Sequence, residues 1–64
     1  MPFVQVKMFE GRSAEQKKQL ASAITEAFTK TLGIDAKAVQ VVVEEYPKAN
    51  WCIGGQMATE LYRG

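Results

Sequence analysis

One long helix, with a start signal and a stop signal in the sequence, constrains the fold more than any other feature. Ser13 followed three residues later by Gln16 is the pattern of a capping box. Gly33 directly after Leu32 is typical of a helix that ends in a left-handed residue. These signals predict a helix over residues 14–32. Its apolar positions recur at helical spacing and predict one buried stripe: Leu20, Ile24, Ala27, Phe28 and Thr31. Its charged side chains are expected in solvent: Lys17, Lys18, Glu26 and Lys30.

Two extended segments flank this helix. Residues 2–8 place Val4, Val6 and Met8 at alternate positions, the period of a strand with one face on the core. Residues 39–45 carry valines on both faces, which is typical of a strand covered on both sides. Strand, long helix and strand predict an α/β fold, a single βαβ unit with parallel strands and a right-handed crossover. The helix covers only one face, so we expect a partner subunit on the other.

The remaining sequence predicts short elements. Asp35 is a suitable cap for one helical turn over residues 36–38. Residues 48–50 are expected to form a loop, and residues 51–53 a short extended piece before a glycine turn. Residues 56–62 fit either a helical turn or the arm of a hairpin. The preferred interpretation is a short C-terminal hairpin or turn used in subunit contacts.

The size of the chain limits how it can be stabilised. Its 64 residues are interpreted as one domain, 1–64, and a domain this small buries only about 60% of its unfolded surface. Cys52 is the only cysteine and histidine is absent, so no internal disulfide or structural zinc site is expected. Cys52 itself is expected to be a buried, inert thiol. Because 47% of the residues are hydrophobic, we expect the chain to oligomerise.

Charge and motif content exclude several classes of function. The formal net charge is +1 with both signs interspersed, which gives no basic patch for nucleic acid. No apolar run approaches the ~18 residues of a membrane span, and no signal-peptide pattern is present. With one free cysteine, this pattern predicts a soluble cytoplasmic protein. The lack of histidine excludes Ser-His and Cys-His nucleophile pairs, and no phosphate-binding glycine motif is found.

Pro2 directly follows Met1, which processing usually removes before so small a residue. A proline at the start of a chain has a secondary amine, whereas a proline inside a chain has a tertiary amide. An ordinary α-amino group titrates near ~7.7–8.0, and an apolar pocket or a neighbouring cation would lower that pKa. Such an amine is a candidate general base at neutral pH. Taken alone, Pro2 is better explained as a permissive second residue than as a base.

Three features together resemble the 4-oxalocrotonate tautomerase family: Met1-Pro2 before a strand, Glu-Gly-Arg-Ser at 10–13, and Ile-Gly-Gly at 53–55. The similarity covers essentially the whole chain. It implies a tautomerase-like βαβ protomer that assembles as a homohexamer, a trimer of dimers. It also implies an isomerase without a cofactor or metal, which transfers a proton within a small substrate, a 2-hydroxydienoate or another 2-oxo acid enol.

The resemblance assigns roles to Pro2, Arg12 and Trp51. Pro2 would be the general base and then the general acid. Arg12 would bind a substrate carboxylate, which its rigid fork of donors matches in bidentate fashion. From the residues alone, Arg12 is an ordinary solvated loop arginine. Trp51 stands where the family has a phenylalanine, and would wall the pocket and keep the amine neutral by desolvation. Its alternative role is packing at a subunit contact.

Gln40 departs from the family pattern. The family commonly has a second arginine there, which a neighbouring subunit contributes to polarise the substrate carbonyl and bind a second carboxylate. Glutamine donates only neutral hydrogen bonds, which are about half as strong as charge-assisted ones. We therefore expect weaker stabilisation of a dienolate and a substrate other than the doubly charged muconate type. Lys37 and Arg63 are candidate replacement cations. The alternative function is a non-catalytic or hetero-oligomeric subunit whose partner supplies the missing arginine.

Overall fold

A computed structural model of the chain describes residues 1–62. Its first three elements are a strand, a helix and a strand: β1 (Phe3–Phe9), α1 (Ala14–Leu32) and β2 (Gln40–Tyr46). The two strands pair in parallel, from Phe3 opposite Gln40 to Phe9 opposite Tyr46. The predicted parallel βαβ unit is therefore confirmed. Both strands begin and end one residue later than the sequence predicted.

The local sequence explains both ends of α1. The hydroxyl of Ser13 accepts the backbone N–H of Gln16 at 3.1 Å, and the Gln16 side chain accepts the N–H of Ser13 at 3.0 Å. At the other end, Gly33 has a φ of 67° and donates its N–H to the carbonyl of Thr29 at 2.9 Å. Glycine adopts this left-handed conformation without steric cost. The helix therefore has the predicted bounds.

The side of α1 that faces the sheet differs in part from the predicted stripe. Ile24 and Phe28 are half-buried as expected, but Leu20 is 37% exposed. Lys17, expected in solvent, is half-buried and forms an ion pair with Glu45 of β2. The predicted stripe was wrong at Leu20, Ala27 and Thr31, which are exposed, because apolar residues occupy more than one side of this helix. A second apolar side of α1 therefore stays uncovered in the single chain: Leu20, Ala27, Thr31 and Leu32.

The C-terminal part forms the predicted hairpin and adds one helical turn: β3 (Cys52–Ile53), β4 (Gln56–Met57) and α2 (Ala58–Leu61). Strands β3 and β4 pair antiparallel across a turn of two glycines. Both interpretations of residues 56–62 are thus partly correct. The single turn predicted after Asp35 is confirmed as Ala36–Ala38, and the expected loop at Lys48–Asn50 is also a short 3₁₀ turn.

Very little of the described chain is buried. Among residues 1–62, Ala58 alone is fully enclosed, at 0% exposure. Cys52 is exposed, so the expectation of a buried thiol was wrong for the single chain. Val42 is 39% exposed on the face of β2 that α1 leaves open. One helix on a two-stranded sheet cannot enclose a core, and such uncovered apolar surface is typical of interaction sites. No helix within residues 1–62 has the length and apolar character needed to cross a membrane.

Candidate active site

Pro2 and Gln40 lie together at one end of the parallel sheet. The backbone N–H of Gln40 donates to the carbonyl of Pro2 at 3.0 Å. This bond continues the ladder of β1 and β2 by one step, so it fixes Pro2 beside the first residue of β2. Pro2 is half-buried and Gln40 is exposed. The residue next to Pro2 therefore carries a neutral amide rather than a cation.

Of the two candidate replacement cations, Lys37 precedes β2 in the short turn that ends just before this same end of the sheet. Its side chain is exposed, and its backbone N–H donates to Asp35 at 3.1 Å. Lys37 thus lies three residues before Gln40, on the approach to the end of the sheet where Pro2 lies. Arg63 lies outside the described residues.

Arg12 and Trp51 lie at the opposite end of the sheet. The chain leaves β1 at Glu10, whose N–H donates to the carbonyl of Tyr46 at 3.0 Å. The indole of Trp51 packs edge-on against Phe9 and Tyr46, with ring centroids 4.7 and 6.1 Å away. Arg12 and Trp51 therefore border one shallow cleft. Three residues of β1 complete its lining: Lys7, Met8 and Phe9.

Arg12 is well suited to bind an anion from outside the chain. It is exposed, and within residues 1–62 its guanidinium has no ion pair or hydrogen bond. Gly11 before it has a φ of 122°, a conformation that residues with a Cβ rarely adopt. This turn carries the chain from β1 to α1 and leaves Arg12 at the surface. A planar carboxylate can thus reach the guanidinium and bind it through two parallel hydrogen bonds.

The two pairs of predicted site residues are far apart in one chain. Pro2 and Glu10 bracket the whole of β1, so they are about 26 Å apart at roughly 3.3 Å per residue. A small 2-oxo acid cannot contact Pro2 and Arg12 of the same chain across this distance. The structure therefore joins Pro2 with Gln40, and Arg12 with Trp51, but does not join the two pairs.

The sequence interpretation missed Lys48, which lies at the Arg12 end of the sheet. Its ammonium group donates to the carbonyl of Tyr62 at 3.0 Å and is 5.9 Å from the ring centroid of Phe9. Lys48 and Arg12 line one cleft, so two cations lie near each other here. The sequence could have indicated this pair of cations. Arg12 follows β1 and Lys48 follows β2, and residues that follow two parallel strands meet at one edge of the sheet.

The described residues offer no evident metal centre. Within residues 1–62, no group of three or more side chains of the metal-binding types His, Cys, Asp and Glu comes together. The Arg12 end of the sheet carries the charges of Arg12 and Lys48, and the Pro2 end carries the neutral amide of Gln40.

Comparisons with known proteins give the class of the protein. A model of the tautomerase enzyme family matches residues 2–61. The 2-hydroxymuconate tautomerase of Comamonas testosteroni is 44% identical over 63 residues, which are 98% of this chain and 100% of that protein. TomN, a 4-oxalocrotonate tautomerase homologue in the tomaymycin biosynthetic pathway, superposes with a TM-score of 0.88 at 41% identity. The match covers 92% of this chain and 91% of TomN.

A third relative is a heterohexamer 4-oxalocrotonate tautomerase from Chloroflexus aurantiacus J-10-fl. It superposes with a TM-score of 0.88 at 34% identity, over 97% of this chain and 100% of that one. The fold and these matches define an enzyme, a tautomerase. Within that class, the chain belongs to the 4-oxalocrotonate tautomerase family, as the three sequence features predicted.

Proposed function

We propose that this tautomerase converts enols of 2-oxo acids to their keto forms, with the amine of Pro2 as the base and then the acid. The observation that carries this proposal is the fixed position of Pro2, half-buried and held by Gln40 at 3.0 Å. Met1 is 88% exposed, so its removal takes no buried side chain from the fold. The freed amine would accept the enol proton and return it to carbon. In this proposal the protein is a single-domain cytoplasmic enzyme without a cofactor.

We further propose that each active site forms between copies of the chain. One copy would supply Pro2 and the other Arg12 and Trp51, because these residues lie at opposite ends of β1. Two sheets side by side with antiparallel strands place the end of one beside the start of the other. Phe3 and Val42, 57% and 39% exposed, supply apolar surface for such contacts. A homohexamer, a trimer of dimers, is the assembly we propose.

The first test is the intact mass of the purified protein, paired with an assay of phenylenolpyruvate and 2-hydroxymuconate on the same sample. We expect the mass without Met1 and turnover of at least one enol, because only the freed amine of Pro2 is basic. A sample without Met1 that converts neither enol contradicts the proposal. Replacing Pro2 with a larger residue causes processing to retain Met1. This variant has no free amine at residue 2 and is the inactive control.

Gln40 suggests that monocarboxylate enols are better substrates than dicarboxylate ones. Gln40 carries a neutral amide where the family commonly has an arginine, and an amide can hydrogen-bond an enolate oxygen but cannot neutralise a second carboxylate. The Comamonas relative is named for 2-hydroxymuconate, a dicarboxylate. We therefore propose that this chain differs from that relative in the charge it accepts at the Pro2 end.

Gln40→Arg is expected to raise kcat/KM for 2-hydroxymuconate about tenfold more than for phenylenolpyruvate, because it adds one charge-assisted contact. Steady-state kinetics on both substrates measure the difference. Gln19→Arg is the matched control, since Gln19 is exposed on α1 and the change adds the same charge. Equal effects of Gln40→Arg on the two substrates would mean that residue 40 does not contact the second carboxylate.

A second candidate function is a subunit of a hetero-oligomer. Gln40 favours it, since a different chain could supply the arginine, and the Chloroflexus relative is a heterohexamer. Size measurement and the enol assay on the chain alone separate the two candidates. Activity of a purified homo-oligomer supports the first. Activity that appears only after mixing with a second tautomerase chain supports the second.

A further inference from the structure

The loop that carries Arg12 is fixed at both of its ends. Its first residue, Glu10, donates its N–H to the carbonyl of Tyr46, the last residue of β2, at 3.0 Å. Its last residue, Ser13, caps α1 and exchanges two backbone-to-side-chain hydrogen bonds with Gln16. The position of Arg12 therefore depends on how the start of α1 lies against the end of β2.

Lys17 and Glu45 connect these two elements directly. The backbone N–H of Lys17 donates to the carbonyl of Ser13 at 3.1 Å, and its ammonium group lies 2.7 Å from a carboxylate oxygen of Glu45. The two side chains are only 30% and 26% exposed. Glu45 immediately precedes Tyr46 in β2. The loop of Arg12 is thus held on both sides: Glu10 bonds it to the end of β2, and the ion pair holds the start of α1 against the same part of β2.

The ion pair also sets the charge beside Arg12. Arg12 and Lys17 line one cleft on the helix side of the loop, together with Met8, Gln16 and Leu20. Glu45 compensates the charge of Lys17, which leaves the guanidinium of Arg12 as the uncompensated cation of this cleft. A carboxylate that approaches the cleft is therefore directed to Arg12.

We propose that Lys17 and Glu45 are positioning residues, which hold Arg12 in the orientation that binds the substrate carboxylate. The inference rests on the proposed role of Arg12. Partly exposed ion pairs stabilise a fold only slightly. A bidentate guanidinium–carboxylate contact, by contrast, depends strongly on orientation, and small displacements of such a group weaken it greatly. The main effect of losing the pair should therefore fall on substrate affinity rather than on folding.

The test is the kinetics of Lys17→Met, which removes the charge and keeps an apolar stem. We expect KM for phenylenolpyruvate to rise about five- to tenfold while kcat stays within about twofold, because Pro2 is unaffected. Glu45→Gln breaks the same pair but frees the charge of Lys17, so a rise in KM in this variant as well shows that the position of Arg12, and not the charge of the cleft, is what matters. Lys30→Met is the matched control, because Lys30 forms an ion pair with Glu26 within α1. The side chains of Lys30 and Glu26 are 74% and 65% exposed. The KM of this control should equal that of the wild type.

Two further variants separate positioning from general destabilisation. The charge swap Lys17→Glu with Glu45→Lys should restore KM to within about threefold of the wild type. A loss of folded protein alone would lower the apparent kcat and leave KM unchanged, which would overturn the inference.

In an Arg12→Met background, Lys17→Met should change KM no further. If Arg12→Met raises KM but Lys17→Met does not, the positioning role is wrong and the role of Arg12 stands. If Arg12→Met leaves KM unchanged, the proposed function has failed and this inference with it.

Discussion

Pro2→Ala is expected to lower kcat for enol tautomerisation by about 10²-fold, toward the lower end of what positioned acid–base catalysis contributes. The variant still loses Met1 and exposes an amine, but a primary amine rotates freely, whereas the ring of proline fixes the direction of its nitrogen. The fold should be unaffected. The bond at 3.0 Å between the carbonyl of residue 2 and the N–H of Gln40 involves no side chain.

The measurement is kcat on phenylenolpyruvate, with the intact mass of each sample as a check on processing. Pro47→Ala is the matched control, because Pro47 is the only other proline and its nitrogen is an amide inside the chain. It should keep kcat within about twofold. In the wild type, kcat/KM should rise with pH as the amine of Pro2 loses its proton. Equal turnover by Pro2→Ala and the wild type would show that this amine is not the base.

Arg12→Met is expected to lower kcat/KM about 10- to 100-fold, mainly through KM, since hydrogen bonds to charged groups contribute about 1.5–3 kcal/mol. Within residues 1–62 the Arg12 side chain has no hydrogen bond or ion pair to lose, so the fold should be little changed. The kcat/KM of Arg12→Lys should lie between those of the wild type and Arg12→Met, because an ammonium group keeps the charge but cannot bind a carboxylate in bidentate fashion. Kinetics on phenylenolpyruvate and on its neutral methyl ester measure the effect.

The ester is the informative comparison, because it lacks the carboxylate that Arg12 would bind. Its kcat/KM should change little in Arg12→Met. Lys18→Met removes a cation from the exposed surface of α1 and should have no comparable effect on either substrate. A similar loss in Lys18→Met would point to the overall charge of the protein. A similar loss with the ester would mean that Arg12 does not act through the carboxylate.

Local chemistry made α1 predictable to the residue. Ser13, Gln16 and Gly33 form hydrogen bonds within four positions of themselves, so their effect can be seen in the sequence. The observed bounds of both strands differ from the predicted ones by one residue, because hydrogen bonding between the two strands decides where each begins and ends. That pairing includes the bond from Gln40 to Pro2, which joins residues far apart in sequence.

The contacts that complete the site region could not be predicted. Lys17 was expected in solvent because its partner Glu45 is 28 positions away and meets it only when α1 crosses β2. The roles of Pro2 and Arg12 came from the family resemblance. From the residues alone, the first is a permissive second residue and the second a loop arginine. The separation of Pro2 from Arg12 became visible only once the strands were paired.

The length of β1 has a consequence for how such enzymes can diverge. Because Pro2 and Glu10, which leads into the loop of Arg12, lie about 26 Å apart at roughly 3.3 Å per residue, changes at one end of β1 leave the other end intact. In the proposed site shared between two chains, one copy of a duplicated gene can lose the amine and the other the arginine, and a mixture of the two would still contain complete sites. Selection would then preserve the pair of genes rather than either gene alone. A strand long enough to separate the proposed functional groups thus favours the evolution of obligate mixed assemblies.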